Sequence, residues 1–154
     1  QSDSCIYAVG GWADGKVCSG DCEKFDPKVG SWEACAKLIT PRRLHGAAVL
    51  DDRLYIFGGA SEDKFTIDDA ECYSPLTDSW ASIAPLPAPC YTGAVTVGSN
   101  IYVFLWGRYF LKYCPSTDTY EKMGPMPLKE WFGFSLTSIG DSIYVIGGVS
   151  DGQW

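Results

Sequence analysis

Apolar residues fall along this chain in short runs closed by turn-forming residues, not at the spacing of an amphipathic helix. Leu54, Tyr55, Ile56 and Phe57 make one such run, a β-branched and aromatic stretch that predicts a buried strand. Gly58 and Gly59 follow at once, although glycine loses the most backbone freedom on ordering and offers nothing to pack. The surrounding pattern predicts a unit of four antiparallel strands: a over 45–50, b over 53–59, c over 68–74 and d over 79–83. "DDR" at 51–53 and "PLTDS" at 75–79 supply its tight turns. The glycine pair is expected where strand b stops and neighbouring backbone, or a large ring, comes too close for a side chain.

The same pattern recurs. "IYAVGG" ends at Gly11, "LYIFGG" at Gly59 and "IYVIGG" at Gly148, with "IYVFLW" ending at Trp106 in the same slot. Tyr7, Tyr55, Tyr102 and Tyr144 stand 48, 47 and 42 residues apart. "KFDP", "CYSP" and "YCP" form a second landmark, and Trp32, Trp80 and Tyr120 a third, with Trp32 and Trp80 each 21 residues beyond a glycine pair. A period of about 40–50 residues with several short strands per unit is the signature of a β-propeller.

The order of glycine pair, aromatic before Pro, Trp, then an apolar "PLP" (85–87) or "PMP" (125–127) resembles the kelch repeat over essentially the whole chain. The resemblance implies an all-β, kelch-type β-propeller with four-stranded antiparallel blades, six to the ring, of which this chain holds about half. The expected divisions are a partial blade at 5–36, full blades at 44–83 and 90–123, and a partial blade at 132–154. The first blade lacks strand a and the last lacks c and d, so either two copies close a ring or the chain is a piece of a larger propeller. In the third unit Leu105 and Trp106 replace the glycines, and Trp106 to Tyr120 is only 14 residues, so a clipped b–c loop is expected there.

Composition narrows the class. Seventeen glycines and nine prolines, with six Trp, nine Tyr and seven Phe, fit an all-β protein. No stretch approaches the ~20 apolar residues that span a bilayer, so no membrane partner is expected. The chain opens on Gln1 rather than Met, which suggests a cut or processed product. A net charge of −7 argues against a nucleic-acid partner, which would require a basic stripe. The seven cysteines are odd in number and irregular in spacing, which predicts free thiols and a reducing compartment. Cys35, Cys72 and Cys114 lie in strand-like runs and are expected to behave as small buried hydrophobes.

Candidate chemistry is sparse. Cys18 and Cys22 form a C-x3-C pair with no second pair or histidine cluster, so no metal and no cofactor is expected. His45, the single histidine, is read as structural, and no nucleophile–base arrangement suggests a catalytic residue. Kelch-type copper oxidases, by resemblance, need two histidines. The acidic run at 60–71 lacks calcium-loop spacing and is read as a solvated loop. The four arginines show no three together for a sialidase-like carboxylate site.

What remains is a surface. In kelch proteins, the resemblance implies, the b–c and d–a loops form the partner face. Here these are 12–20, 60–67 and 107–110, and 37–44, 85–92 and 125–132. They carry Trp12, Arg42, Arg43, Phe65, Tyr91, Arg108, Tyr109 and Trp131, with Phe132 beside them, and arginine with large aromatics is the composition of interface hot spots. A guanidinium pairs two-pronged with carboxylate, so a protein or short acidic peptide motif is the expected ligand. By resemblance the chain is a substrate-recognition module of a BTB-kelch adaptor of a cullin-based ubiquitin ligase, in the cytoplasm. The alternative is an actin-binding or scaffolding kelch protein, with a propeller enzyme third, and the nucleus or the cytoskeleton is the alternative to the cytoplasm.

Overall fold

The computed structural model describes residues 5–13, 15, 17–107, 109–125 and 133–149. These residues form strands only, with no helix. The first sheet has the order β1 (Ile6–Val9), β4 (Cys22–Asp26), β5 (Ser31–Ala34). A short hairpin, β2 (Trp12–Ala13) and β3 (Val17–Cys18), stands in its b–c connection and was not anticipated from the sequence. The second sheet contains β6 (Gly46–Leu50), β7 (Arg53–Phe57), β8 (Ala70–Ser74) and β9 (Ser79–Ile83) in sequential order. The third contains β10 (Thr92–Val97), β11 (Asn100–Leu105), β12 (Tyr109–Cys114) and β13 (Thr119–Pro125), and β14 (Ser135–Ile139) pairs with β15 (Ser142–Ile146).

All ladders are antiparallel, and apart from β1 with β4, which the β2–β3 hairpin separates, they join sequence neighbours, the pattern of consecutive blades in a β-propeller. The turn at Asp51 and Asp52 puts both residues at positive φ, which a two-residue hairpin requires and Asp tolerates. Strand b stops at Phe57, two residues short of the expected end, and c starts at Ala70 rather than Asp68.

The core lies between sheets. Leu38, Leu54, Ile56 and Tyr73, with Tyr7 and Trp80 against them, fill the first junction. The second is the largest, built on Tyr55, Phe57, Leu86, Ile101, Leu105, Leu111 and Tyr113. Val95 and Phe104 pack with Phe134, Leu136 and Val145 at the third. Each junction removes both faces from water, the main stabilising term for such sheets.

Two junctions carry the same polar clamp. The Trp80 indole N–H donates to Ala36 O at 2.8 Å, and Asp78 Oδ1 accepts from Ala36 N (2.8 Å) and the Tyr73 hydroxyl (2.7 Å). One repeat on, the Tyr120 hydroxyl donates to Ala84 O at 2.8 Å, while Asp118 Oδ1 accepts from Ala84 N (2.9 Å) and the Tyr113 hydroxyl (2.8 Å). In the first sheet Phe25 and Gly30 occupy the corresponding positions, so the hydroxyl and the carboxylate are absent together.

The glycine pair does follow strand b into a close approach, but not to a ring. A Cβ on Gly58 would lie 2.6 Å from Cys90 O and 3.0 Å from Leu86 Cδ1. Gly58 and Gly59 also have φ of 57° and 97°, the left-handed region that side chains other than glycine enter at a cost. The recurrent Trp80 and Tyr120 fill the wedge elsewhere, on the clamp side. Of the three cysteines expected as buried strand residues, only Cys72 is buried; Cys35 follows β5, Cys114 ends β12, and both are half-buried.

Candidate interaction face

In an antiparallel four-stranded unit the b–c and d–a connections emerge at the same end. This geometry gathers residues far apart in sequence onto one face. Trp12 stands in the first b–c hairpin, 49% exposed, and the Arg43 guanidinium carbon lies 3.5 Å over the centre of its ring. That distance is a cation–π stack. Arg43 is held by a two-way backbone bridge to Ala60, while its Nε has no hydrogen-bond partner among the described residues. The hairpin is tied to the next b–c loop where Cys18 N donates to Glu62 Oε2 at 3.1 Å.

Further along the face the rings form a row. Phe65, 80% exposed, meets Tyr91 edge-on at 5.7 Å between centroids. Tyr91 meets Trp106 at 5.4 Å, and Trp106 meets Phe134 at 6.2 Å. The clipped b–c connection of the third sheet is what admits this row. Gly107 turns the chain with φ of 70°, and β12 resumes at Tyr109, whereas the b–c connection of the second sheet runs from Gly58 to Asp69.

Two expected site residues are corrected. Arg42 is not on the surface: it is fully buried, and its guanidinium donates to Thr40 O, Gly58 O, Asp69 O and Glu71 Oε1 at 3.1, 3.1, 2.7 and 2.5 Å. Glu71 in turn accepts from Ile39 N and Thr40 N, so this member of the acidic run is a buried counter-ion and not part of a solvated loop. Tyr109 is not in a loop but opens β12, with the Lys122 ammonium 4.1 Å over its ring. Arg108 and Trp131, with Phe132, lie outside the described residues. Trp12, Arg43, Phe65 and Tyr91 do share the face.

Trp106 and Phe134 were not singled out from the sequence. The signal for Trp106 was the replacement of a glycine pair by a large ring immediately before Gly107, at the step from strand to turn.

Burial lowers His45 to about 4, the Arg42 charge acts in the same direction, and the Val9 carbonyl opposes them. Its ring fills space beside Gly10, where a Cβ would lie 2.9 Å from His45 Cε1. A histidine held neutral inside a junction supports packing. Among the described residues no three His, Cys, Asp or Glu side chains converge as metal ligands. A cavity of about 580 Å³ opens on the opposite face, between Cys5, Tyr7, Arg53 and Leu76 at the unpaired edge of β1.

A family model described as Kelch motif matches residues 1–39 and 41–87, more than half of the chain. No curated protein matches it.

Proposed function

This chain belongs to the kelch-repeat family, a family of protein–protein interaction modules, and from that premise we propose that it recognises a protein partner through the face bearing Trp12, Arg43 and the aromatic row. The observation that carries this reading is the Arg43–Trp12 stack. A guanidinium flattened on an indole and left without a carboxylate of its own among the described residues is arranged for a carboxylate from outside. The ligand is therefore a short acidic motif, its apolar side chains laid along Phe65, Tyr91 and Trp106. In this reading the module selects substrates for a cytoplasmic BTB-kelch adaptor of a cullin-based ubiquitin ligase, the cullin being recruited outside this segment.

The test is a co-precipitation from cells with the full-length protein, wild type against Arg43→Ala. The variant is expected to keep its cullin and lose its substrates, with binding to an isolated substrate weakened by ~1–3 kcal/mol and an unchanged melting temperature. Absence of any cullin from the wild-type precipitate would sink the adaptor reading. Substrates bound equally by the variant would sink the assignment of Arg43.

A further inference from the structure

Seven cysteines are free in this fold, and among the described residues Cys22 and Cys35 stand opposite each other across one ladder. The ladder of β4 and β5 pairs Glu23 with Ala34, so the next step places Cys22 opposite Cys35. Cys35 N donates to Cys22 O at 2.9 Å, extending the ladder to that step. Residues directly opposite in such a hydrogen-bonded pair have Cα atoms about 5.5 Å apart, inside the window a disulfide spans without backbone movement. Four of the other thiols have polar contacts of their own: Cys18 Sγ to Ala60 O (3.6 Å), Cys72 Sγ to Tyr73 O (4.0 Å), Cys90 Sγ to Trp106 O (3.7 Å) and Cys114 Sγ to Ser116 Oγ (3.2 Å). Cys35 Sγ also reaches Glu33 O, at 3.9 Å, so the pairing rests on the ladder that sets it opposite Cys22.

We propose that Cys22 and Cys35 are an oxidation site, closing reversibly to a disulfide in response to a hydroperoxide, beside the clamp that joins the first two sheets. The two thiols differ in the way such a site requires. Cys35 is half-buried and within reach of a small oxidant, whereas Cys22 is 2% exposed. Burial, together with the neighbouring Cys35, pushes the Cys22 thiol up to about 12, so Cys35 is the sulfur that reacts first. Its thiolate attacks the peroxide: the Sγ–O bond forms, the O–O bond breaks, and hydroxide or alkoxide leaves. Cys22 Sγ then attacks Cys35 Sγ, the S–S bond forms, the S–O bond breaks, and water departs with the Cys22 proton. Burial of Cys22 keeps the second step internal.

The location gives the reaction a consequence. Ala36, the next residue, is the one whose N–H and carbonyl are gripped by Asp78 and Trp80. Oxidation fixes the chain entering the clamp to β4.

The experiment treats the full chain with one equivalent of hydrogen peroxide, alkylates remaining thiols, digests with trypsin and identifies linked peptides by mass spectrometry. Lys24 and Lys28 separate the two cysteines, and fragment ions distinguish Cys22 from Cys18. The expected product is a Cys22–Cys35 link, about 2 Da lighter than the two thiols, formed ahead of any other pair and reversed by dithiothreitol. Cys22→Ser should leave Cys35 accumulating as sulfenic and sulfinic acid with no new intramolecular link. Urea should abolish the selectivity. Both thiols still alkylated after peroxide, or the same product distribution in urea as in buffer, would overturn the proposal.

Discussion

Two side chains at the sheet junctions contribute to how this fold responds to acid. His45 is held to about 4 by burial, below its ordinary 6.5, so the folded state keeps it neutral where the unfolded chain takes a proton. Its contribution is complete above pH 6.5 and falls away as pH drops towards 4. Asp78 is lowered by the Ala36 N–H first and the Tyr73 hydroxyl second, so its contribution is present above the ordinary carboxylate range and fades below it. Melting temperature should therefore decline in two stages. His45→Gln should flatten the stage between pH 6.5 and 4 alone, and Asp78→Asn the stage below it. A single unchanged slope in both variants would contradict the assignment. Gly58 belongs to the same scale: Gly58→Val forces a branched residue into the left-handed region and its Cβ against Cys90 O. A loss of about 2–6 kcal/mol is expected in denaturant titration, since strained backbone and overpacking each cost about 1–3.

Among the elements, the joint between sheets one and two differs from the next in one informative way. Arg42 O accepts from Gly11 N, and Cys90 O from Gly59 N, so Arg42 and Cys90 occupy the same place in successive repeats. Glu71 and Leu111 likewise each lie two residues before the clamp tyrosine. One joint is thus closed by a buried ion pair and the other by a thiol and a leucine. Glu71→Leu alone strands a buried guanidinium and should cost about 3–5 kcal/mol. Arg42→Met with Glu71→Leu should recover part of that loss. Full recovery is not expected, because Ile39 N and Thr40 N lose their acceptor.

Much of this was legible in the sequence. Alternating and continuous apolar runs between "DDR" and "PLTDS" fixed the strands of the second sheet to within two residues, because register is dictated by which face is buried. What was not legible depended on partners distant in the chain. "PRR" offers two adjacent arginines, and nothing local says that Arg42 turns inward to Glu71, 29 residues on, while Arg43 turns to Trp12. Trp106 was hidden for the same reason, since its neighbours Tyr91 and Phe134 come from two other connections.

For the molecule as a whole, the outer faces of the first and last sheets stay open. Ile6 and Trp32 on one, and Tyr144 and Ile146 on the other, are each 46–58% exposed where the inner junctions bury their counterparts. Apolar faces of this kind associate. Light scattering behind size exclusion should give this chain a mass above its 16.8 kDa, with a discrete dimer as the ring-closing outcome. A folded monomer would show that these faces are stable in water as they stand.

The clamp also has a direction. Asp78, Tyr73 and Trp80 all come from the second repeat, and their hydrogen bonds to the preceding unit go to the peptide groups of Ala36. Asp118, Tyr113 and Tyr120 treat Ala84 the same way. A repeat copied in tandem would carry its polar fastener with it, and that fastener asks only for a main chain in the right place. The hydrogen bonds of such a joint leave the preceding unit's side chains to answer to the apolar packing alone, as Tyr7 does against Tyr73 and Phe57 against Tyr113.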